Sequence, residues 1–412
     1  MLSRKPLIIF SLLFCLLLVS CSQQETEQES FVQPTAHCAS QAVSGQFIVQ
    51  WTDGRVSVEH ASSQEDFLEN VLKKNQNQIV LAEHDYQIRL QDFLVSDVAP
   101  MTGRDPTDWG QTSSQVQTLW NELVYGQNVL VAVIDTGSDI THPQLAPQVY
   151  VNKNEIPGNG IDDDNNGYVD DISGWNYVTG TPNMEGELTH GTHVAGITVA
   201  KHGAGEVKGL APSAKLIPLK FIDGDGGYLG HAVEAIQYAA KIAEKANQPL
   251  VINASWGGSD CSAVLKRQMV ALEGKRILFS VAAGNERRNL DISPVFPAAF
   301  NLANQITVSA YSARNVMADF SNYGLLAHVV APGVDIFSTV PGGYLYYHGT
   351  SMAAPFVAGA AALLWSKHPQ ATTTEIRQAL MDSVTSGAYA VKSRGSLNVQ
   401  HAAQVLAQRL GL

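Results

Sequence analysis

Short apolar runs recur between residues 128 and 310, and few of them alternate with polar positions. They are "NVLVAVID" (128–135), "KLIPLKFI" (215–222), "PLVINASW" (249–256), "RILFSVAAG" (276–284) and "QITVSA" (305–310). Such runs are typical of strands that are buried on both faces of a parallel sheet. Residues 230–246 and 262–274 between them have helical periodicity. The alternation of strand and helix predicts an α/β fold, a three-layer αβα domain with a mostly parallel central sheet.

The N-terminal part of the chain has a different pattern. Residues 45–51 and 86–90 predict strands, the second because apolar and polar positions alternate along it. Residues 62–74 predict a helix that starts after Ser62 or Ser63 and carries its apolar residues on one face. We therefore expect a small α+β module ahead of the α/β domain.

A stretch rich in Pro, Gly and Asp, "SDVAPMTGRDPTDWG" (96–110), separates the two patterns. Segments with this composition and without apolar periodicity are typical linkers. We assign residues 40–100 to the small module, 101–108 to the linker and 109–412 to the α/β domain, with the boundary near residue 105.

The first 20 residues predict an export signal. Arg4 and Lys5 precede an apolar run from Leu7 to Val19 that only Ser11 interrupts. As a helix this run rises only about 20 Å, which is too short for a membrane span and suits the core of a signal peptide.

The signal ends in "LVSC", which resembles the lipobox of bacterial lipoproteins. The resemblance implies that residues 1–20 are removed, that Cys21 carries the lipid, and that residues 21–39 form a polar tether. The protein would then be exported and anchored to a membrane, on its periplasmic or cell-surface side, with release after processing left open. An ordinary cleavage site before Cys21 is the alternative.

Composition narrows the function classes. The chain of 412 residues is 45% hydrophobic and 16% charged, as expected for a globular protein. Its net charge of −12, without a basic cluster, argues against a nucleic-acid partner because phosphate binding needs concentrated positive charge. Lipidation of Cys21 would leave Cys38 and Cys261 as thiols of the exported chain, and the sequence leaves open whether they pair.

Three polar side chains stand at the ends of predicted elements. Asp135 ends a buried strand in "VIDTG", while His190 in "THGTHVAG" and Ser351 in "HGTSMAAP" each begin a predicted helix. Asp-Thr-Gly also occurs in aspartic proteases, but these are all-β and need a second carboxylate of the same kind. This sequence has no second copy, and its pattern is α/β.

The blocks "AVIDTG", "HGTHVAG" and "GTSMAAP" follow one another in this order, with "NASWGG" and "VAAGN" between the last two. Together they resemble the signature blocks of the subtilisin-like serine peptidases, over residues from about 109 to about 410. The resemblance implies an endopeptidase in which Ser351 is the nucleophile, His190 is the general base and Asp135 orients His190. It also implies that the side-chain amide of Asn285 and the N–H of Ser351 stabilise the oxyanion.

The same resemblance implies how a polypeptide substrate binds. It would pair as an extended strand with two backbone edges. The expected contacts at these edges are Ser255, Trp256, Gly257, Ala283 and Gly284. The module at 40–100 would be an inhibitory pro-module, a partner within the same chain, and would be cut off in the linker ahead of Trp109.

An acidic loop, "NGIDDDNNGYVDD" (159–171), lies between the Asp and His blocks. Its spacing matches early positions of a calcium loop, but Ser173 stands where an EF-hand has its bidentate Glu. Clustered carboxylates repel one another without a cation, so we expect structural Ca²⁺ here. The expected ligands are Asp162, Asp164, Asn166 and Asp170. A solvated acidic turn is the alternative, and no organic cofactor is implied.

Two further points concern details of the site. His348 precedes "GTS" where the family usually has a small residue, and it is either a group that tunes the site near neutral pH or an exposed rim residue. The short "DGDGG" (223–227) predicts a turn.

A scaffold or binding protein that keeps the fold without turnover is the alternative function, and the presence of all four catalytic residues argues against it.

Overall fold

The computed structural model describes residues 30–32, 42–88, 90, 94–96, 108–224, 226–258 and 262–412, with 94–96 described by backbone alone. The helices of these residues are α1 (Gln64–Phe67), α2 (Trp109–Ser113), α3 (Gln117–Asn121), α4 (Thr189–Val199), α5 (Leu229–Ala246), α6 (Ala263–Ala271), α7 (Thr350–Lys367), α8 (Thr373–Asp382) and α9 (Val399–Arg409). Helix α1 continues into a π-turn (Leu68–Leu72) and a 3-10 turn (Lys73–Asn75).

The strands of the N-terminal half are β1 (Phe31–Val32), β2 (Ala42–Trp51), β3 (Val56–His60), β4 (Ile79–Ile88), β5 (Leu94–Ser96), β6 (Leu130–Asp135) and β7 (Trp175–Asn176). Those that follow are β8 (Lys215–Lys220), β9 (Ile222–Asp223), β10 (Gly226–Tyr228), β11 (Leu250–Ala254), β12 (Ile277–Ala282), β13 (Gln305–Tyr311), β14 (Val329–Pro332), β15 (Ile336–Val340), β16 (Gly343–His348), β17 (Thr385–Ser386) and β18 (Gly395–Ser396).

Within the described residues, a nine-stranded central sheet has the order β17-β18-β14-β13-β12-β11-β6-β8-β7. All neighbouring strands are parallel except β17 and β18. Strands β6, β8, β11 and β12 lie within the predicted apolar runs, and only Lys215 among their residues is exposed. The mostly parallel sheet is confirmed.

Helices cover both faces of this sheet. Helices α5 and α6 pack on one face, whereas α4, α7, α8 and α9 pack on the other. Every residue from Thr350 to Trp365 in α7 is buried, as expected for a helix that is apolar on all sides. The prediction of a three-layer α/β domain is therefore confirmed.

The N-terminal module packs helix α1 on a small sheet. Strand β2 pairs antiparallel with β3 and β4, and β1 pairs parallel with β4. The prediction of a tether over 21–39 is therefore wrong at Phe31 and Val32, which form β1, because Phe31 is buried in the core of the module. Phe47 of β2 stacks on Phe67 of α1 with ring centroids 4.0 Å apart. The predicted helix is confirmed, and the hydroxyl of Ser63 accepts from the N–H of Asp66 at 3.1 Å.

The predicted strand at 86–90 is wrong in its bounds, because β4 runs from Ile79 to Ile88. Leu81, Ala82 and Glu83 in succession are buried, so this part of the strand does not alternate between buried and exposed positions. The periodicity is visible only near its C-terminal end.

The module joins the α/β domain through strand pairing. Strand β4 pairs antiparallel with β10, with Ile88 opposite Gly227. Strand β5 pairs with β16, with Leu94 opposite His348. The segment 223–227, predicted as a turn, contains the ends of the paired strands β9 and β10.

Two carboxylates of β4 cap helices of the α/β domain. Asp85 accepts from the N–H of Gly230 at 2.9 Å, at the start of α5. Glu83 accepts from the N–H of Ala263 at 2.8 Å and from the hydroxyl of Ser262, at the start of α6. Anions are favourable at helix N-termini because the unpaired N–H groups and the helix dipole point there.

Several predictions fall outside the described residues. These are the export signal, lipidation of Cys21, the pairing of Cys38 with Cys261, and the linker residues 101–107. In the part of the chain that is described, no helix combines the length and apolar composition needed to cross a bilayer.

Candidate active site

Asp135 and His190 meet at the carboxyl edge of the central sheet. Asp135 is the last residue of β6, His190 is the second residue of α4, and their side chains are 0% and 1% exposed. Nδ1 of His190 donates to Oδ1 of Asp135 at 2.7 Å, and the N–H of Thr136 donates to the same oxygen at 2.7 Å. With Nδ1 as the donor, Nε2 is the proton-accepting nitrogen of the neutral ring.

Gly191 allows α4 to approach the turn after β6. A Cβ on Gly191 would lie 2.0 Å from the carbonyl oxygen of Gly137 and 3.2 Å from Cβ of Asp135. The N–H of Gly191 donates to the hydroxyl of Thr136 at 3.0 Å. The glycine that follows His190 is therefore required by the contact that brings the acid and the base together.

Ser351 is the second residue of α7 and is buried. Its hydroxyl donates to the carbonyl of Ser255 at 3.2 Å, and the hydroxyl of Ser255 donates to the carbonyl of Ser351 at 3.0 Å. Pro355 explains the second bond, because proline lacks the N–H that would bind the carbonyl four residues earlier. The predicted nucleophile and a predicted substrate contact are thus directly bonded.

Asn285 follows β12 and faces the start of α7. Its Oδ1 accepts from the N–H and the hydroxyl of Thr350, each at 2.9 Å. The hydroxyl of Thr350 in turn accepts from the N–H of Gly284 at 3.0 Å. These bonds turn the amide so that Nδ2 lies 3.5 Å from the position of a Cβ on Gly349.

Helix α4, which carries His190, packs against helix α7, which carries Ser351. The hydroxyl of Thr198 in α4 donates to the carbonyl of Pro355 in α7 at 3.5 Å. Strand β6 lies between β8 and β11, where the strand order reverses. In open α/β sheets ligands bind beyond the carboxyl ends of the strands at such a point. The structure thus brings the predicted catalytic residues to one edge of the sheet.

The predicted substrate contacts lie deeper than expected. Trp256 is 1% exposed and packs edge-on against Phe221, with centroids 5.2 Å apart, so its ring belongs to the core. Ala283 is also buried, and its N–H donates to the carbonyl of Val308 at 3.0 Å. Gly284 has φ +106, and a Cβ there would lie 2.2 Å from Nδ2 of Asn322.

Ser255 and Gly257 complete the first of these edges. Ser255 is buried beneath Ser351, whereas Gly257 is half-buried. The backbone of Gly258 is paired with Phe296, and a Cβ on Gly258 would lie 3.0 Å from Cδ1 of Ile88 in the N-terminal module.

His193 joins α4 to the β15–β16 hairpin. Its Nε2 lies 3.0 Å from the carbonyl oxygen of Ile336 and 3.1 Å from that of Leu345. Its ring stacks on Tyr347 with centroids 4.3 Å apart. Burial lowers the pKa of His193 to about 3, so the ring is neutral near pH 7.

His348 lies at the rim and is held by Asp335. Its side chain is 17% exposed, and its Nδ1 accepts from the N–H of Asp335 at 3.2 Å. Its Nε2 lies 3.5 Å from Oδ1 of Asp335.

The acidic loop gathers a set of carboxylates that differs from the predicted one. Carboxylate oxygens of Glu155, Asp162 and Asp164 lie within 4.8 Å of one another. Asp170 instead accepts from the N–H of Asn159 and Gly160 at 3.1 and 3.0 Å.

The predicted ligand Asn166 also forms hydrogen bonds within the loop. Its Nδ2 donates to Asp171 at 2.9 Å, and its Oδ1 accepts from the N–H of Tyr168 at 2.8 Å. Glu155 was missed because it lies seven residues before Asp162, outside the spacing of a calcium loop.

Comparison with known proteins identifies the class. Residues 126–402 match the profile of the Peptidase S8 family, the subtilase family. Subtilisin NAT of Bacillus subtilis subsp. natto is 37% identical over 300 residues, which cover 72% of this chain and 71% of that protein. Subtilisin of Bacillus pumilus is also 37% identical over 300 residues, which cover 98% of it.

Two solved structures agree with this class. Fervidolysin from Fervidobacterium pennivorans, described as a keratinolytic enzyme related to subtilisin, superposes with a TM-score of 0.72 at 25% identity. The match covers 91% of this chain and 63% of fervidolysin. A cold adapted subtilisin-like serine proteinase gives a TM-score of 0.52 at 25% identity, with 66% of this chain and 88% of that one covered. The chain belongs to the subtilase family and is a subtilisin-like serine endopeptidase, as the sequence predicted.

Proposed function

We propose that the protein hydrolyses peptide bonds through Ser351, His190 and Asp135. Oγ of Ser351 attacks the substrate carbonyl while Nε2 of His190 takes its proton, and the imidazolium remains bonded to Asp135. His190 then protonates the leaving amine, and water repeats these steps on the acyl-enzyme. The bond of 2.7 Å between His190 and the buried Asp135 carries this proposal.

Ser351 begins this reaction by exchanging one hydrogen bond for another. Its hydroxyl donates to the carbonyl of Ser255 at 3.2 Å, and in the proposed step it would exchange this bond for one to Nε2 of His190. The oxyanion then accepts from the amide of Asn285 and from the N–H of Ser351 in the first turn of α7. The contacts of Thr350 with Oδ1 of Asn285 support this role, because they orient the amide.

The protein is also proposed to be made as a self-inhibited precursor. Strand β5 of the N-terminal module pairs with β16 beside His348, three residues before the proposed nucleophile Ser351, which supports a position of the module next to the site. Strand β4 pairs with β10 in the same way. Residues 40–100 would block the cleft until the chain is cut within 101–108.

Export and lipid anchoring complete the proposal, and both rest on the sequence of the first 21 residues. A Cys21→Ser variant would still be exported if a second peptidase accepted the signal, but it would no longer label with a radioactive fatty acid. Labelling of the Ser variant at the wild-type level would contradict a lipid on Cys21.

Calcium at Glu155, Asp162 and Asp164 is part of this proposal. Three carboxylates form the all-oxygen donor set that this hard cation prefers. Oδ1 of Asp164 is buried and has no hydrogen-bond partner among the described residues, which fits an atom that binds a metal. Burial raises the pKa of Glu155, and the neighbouring acidic residues raise it further, so a bound cation would relieve this repulsion.

A fluorophosphonate probe tests the hydrolase. It should label the wild-type protein, and Ser351→Ala should abolish labelling and leave the precursor uncut. A folded wild-type protein that does not react would instead support the scaffold alternative.

Thermal melting with and without a chelator tests the metal and its ligands. Chelation should lower the Tm of the wild-type protein and leave that of Asp162→Asn unchanged. Asp170→Asn is the matched control, and it should remain as sensitive to chelation as the wild type. An unchanged wild-type Tm would contradict the calcium site.

A further inference from the structure

Lys220 is the last residue of β8, and its side chain is 1% exposed. Its ammonium donates to the carbonyls of Thr136, Glu187 and Ile222 at 3.0, 2.8 and 3.0 Å, and to Oδ1 of Asp223 at 2.9 Å. No other lysine or arginine of the described residues is buried. Burial of an ammonium is costly unless every N–H has an acceptor, and here the acceptors suffice.

The carbonyls that Lys220 binds belong to the two segments that carry the acid and the base. Thr136 directly follows Asp135, and Glu187 lies three residues before His190. Lys220 is also the residue opposite Asp135 in the pairing of β6 with β8. The ammonium therefore lies between these two segments and bonds to both.

A second link runs through Asp223 to the start of α4. Oδ1 of Asp223 accepts from the N–H of Glu187 at 2.9 Å as well as from Lys220. Glu187 in turn accepts from the N–H of Thr189, the first residue of α4, at 2.6 Å. Both backbone groups of Glu187 are thus fixed by one ion pair, and its side chain fixes the helix end.

We propose that Lys220, assisted by Asp223, is a positioning residue that sets the orientation of His190 relative to Asp135. It contacts neither substrate nor the reacting atoms, and it acts by holding the backbone on both sides of the acid–base pair. This inference rests on the proposed triad. A displacement of about 1 Å in a catalytic group can cost about 100-fold in rate, so loss of this contact should be visible in turnover.

Lys220→Met in the full chain tests this positioning role. Rates are measured on a small chromogenic peptide and divided by the concentration of active sites, which is titrated with a fluorophosphonate. We expect kcat to fall about 10- to 100-fold with KM little changed, and Lys220→Arg to recover part of kcat because it can donate to the same carbonyls. Lys215→Met is the matched control, since Lys215 lies on the same strand, is exposed and binds the carbonyl of Pro147 at 2.9 Å. It should keep wild-type kcat.

Two results would overturn the inference. One is wild-type kcat per titrated site in Lys220→Met, and the other is no recovery by Lys220→Arg when both variants fold. If Lys220→Met does not fold, Asp223→Ala decides, because Asp223 is partly exposed and its loss should still lower kcat with KM little changed. Unchanged kcat in Asp223→Ala would then overturn the inference. Failure of the wild-type protein to label would instead overturn the proposed triad.

Discussion

At the residue scale, the site depends on close contacts between backbone segments that only glycine, which has no Cβ, permits. The block around His190 contains Gly191, which faces the carbonyl of Gly137 where a Cβ would lie at 2.0 Å. The sequence motif contains both the histidine and this glycine, because the two are neighbours in the chain and the close contact of the helix requires both. The sequence did not indicate Lys220 or Asp223, because their partners Thr136 and Glu187 in the segments of Asp135 and His190 are distant in sequence.

Gly191→Ala should separate His190 from Asp135. The added methyl group cannot fit against the carbonyl of Gly137, so α4 must shift, and we expect kcat/KM to fall at least about 100-fold. Gly343→Ala in β16 is the control, because a Cβ there meets nothing within 4 Å. Peptidase assays on both variants check this, and equal activity of the two would contradict it.

At the scale of elements, the first turn of α7 is completed by a neighbouring strand end. Pro355 removes the helical donor for the carbonyl of Ser351, and the hydroxyl of Ser255 donates there at 3.0 Å. The sequence predicted this helix because its apolar run is long. It could not predict which residue would satisfy the carbonyl, since that depends on where β11 ends.

A double-mutant cycle tests this contact in the inactive Ser351→Ala chain, which cannot digest itself. Ser255→Ala should lower the free energy of unfolding by about 1 to 3 kcal/mol, because it leaves a buried carbonyl without a donor. In a Pro355→Ala background the restored N–H can serve that carbonyl, so the cost should be smaller. Equal costs in urea unfolding of both backgrounds would show that Ser255 does not replace the helical donor.

At the scale of the whole molecule, the N-terminal module and the α/β domain bury carboxyl groups between them. Burial raises the pKa of Glu83 to about 7, that of Asp85 to about 6 and that of Glu234 to about 7. Glu234 lies on α5, and the module's Asp85 and Glu59 face it and raise its pKa further. The interface thus combines favourable helix caps with repulsion between like charges.

A pH dependence of the proposed autoinhibition follows from these pKa shifts. Groups whose pKa is higher in the closed precursor take up protons on closure, so closure is most favourable below their ordinary pKa. It should weaken as pH rises through about 6 to about 7. Autoinhibition should therefore be relieved toward neutral pH.

Glu234→Gln should reduce this dependence, because the amide has no charge to neutralise. At each pH we would measure the fraction of the processed chain that reacts with a fluorophosphonate. The value for the variant is then divided by the value for the wild type at the same pH. We expect a ratio near one at about pH 5 and a lower ratio above about pH 7, since the variant stays inhibited. Glu244→Gln, exposed on the same helix, should give a ratio of one throughout. A flat ratio for Glu234→Gln would contradict the prediction.

The sequence by itself predicted the buried strands β6, β8, β11, β12 and β13 of the central sheet, the helices α5, α6 and α7, and the residues of the proposed triad. Apolar runs must be buried, so the core strands can be recognised from a short stretch of sequence. Each triad residue lies in a short motif that also forms the turn or helix start around it, so these residues can be recognised locally as well. Only the tertiary structure showed that Glu155 lies beside Asp162 and Asp164. It also decided that Glu83 and Asp85 cap helices of another unit, and that Lys220 binds the segments of both acid and base. These contacts join residues far apart in the chain, and their geometry exists only once the elements have packed.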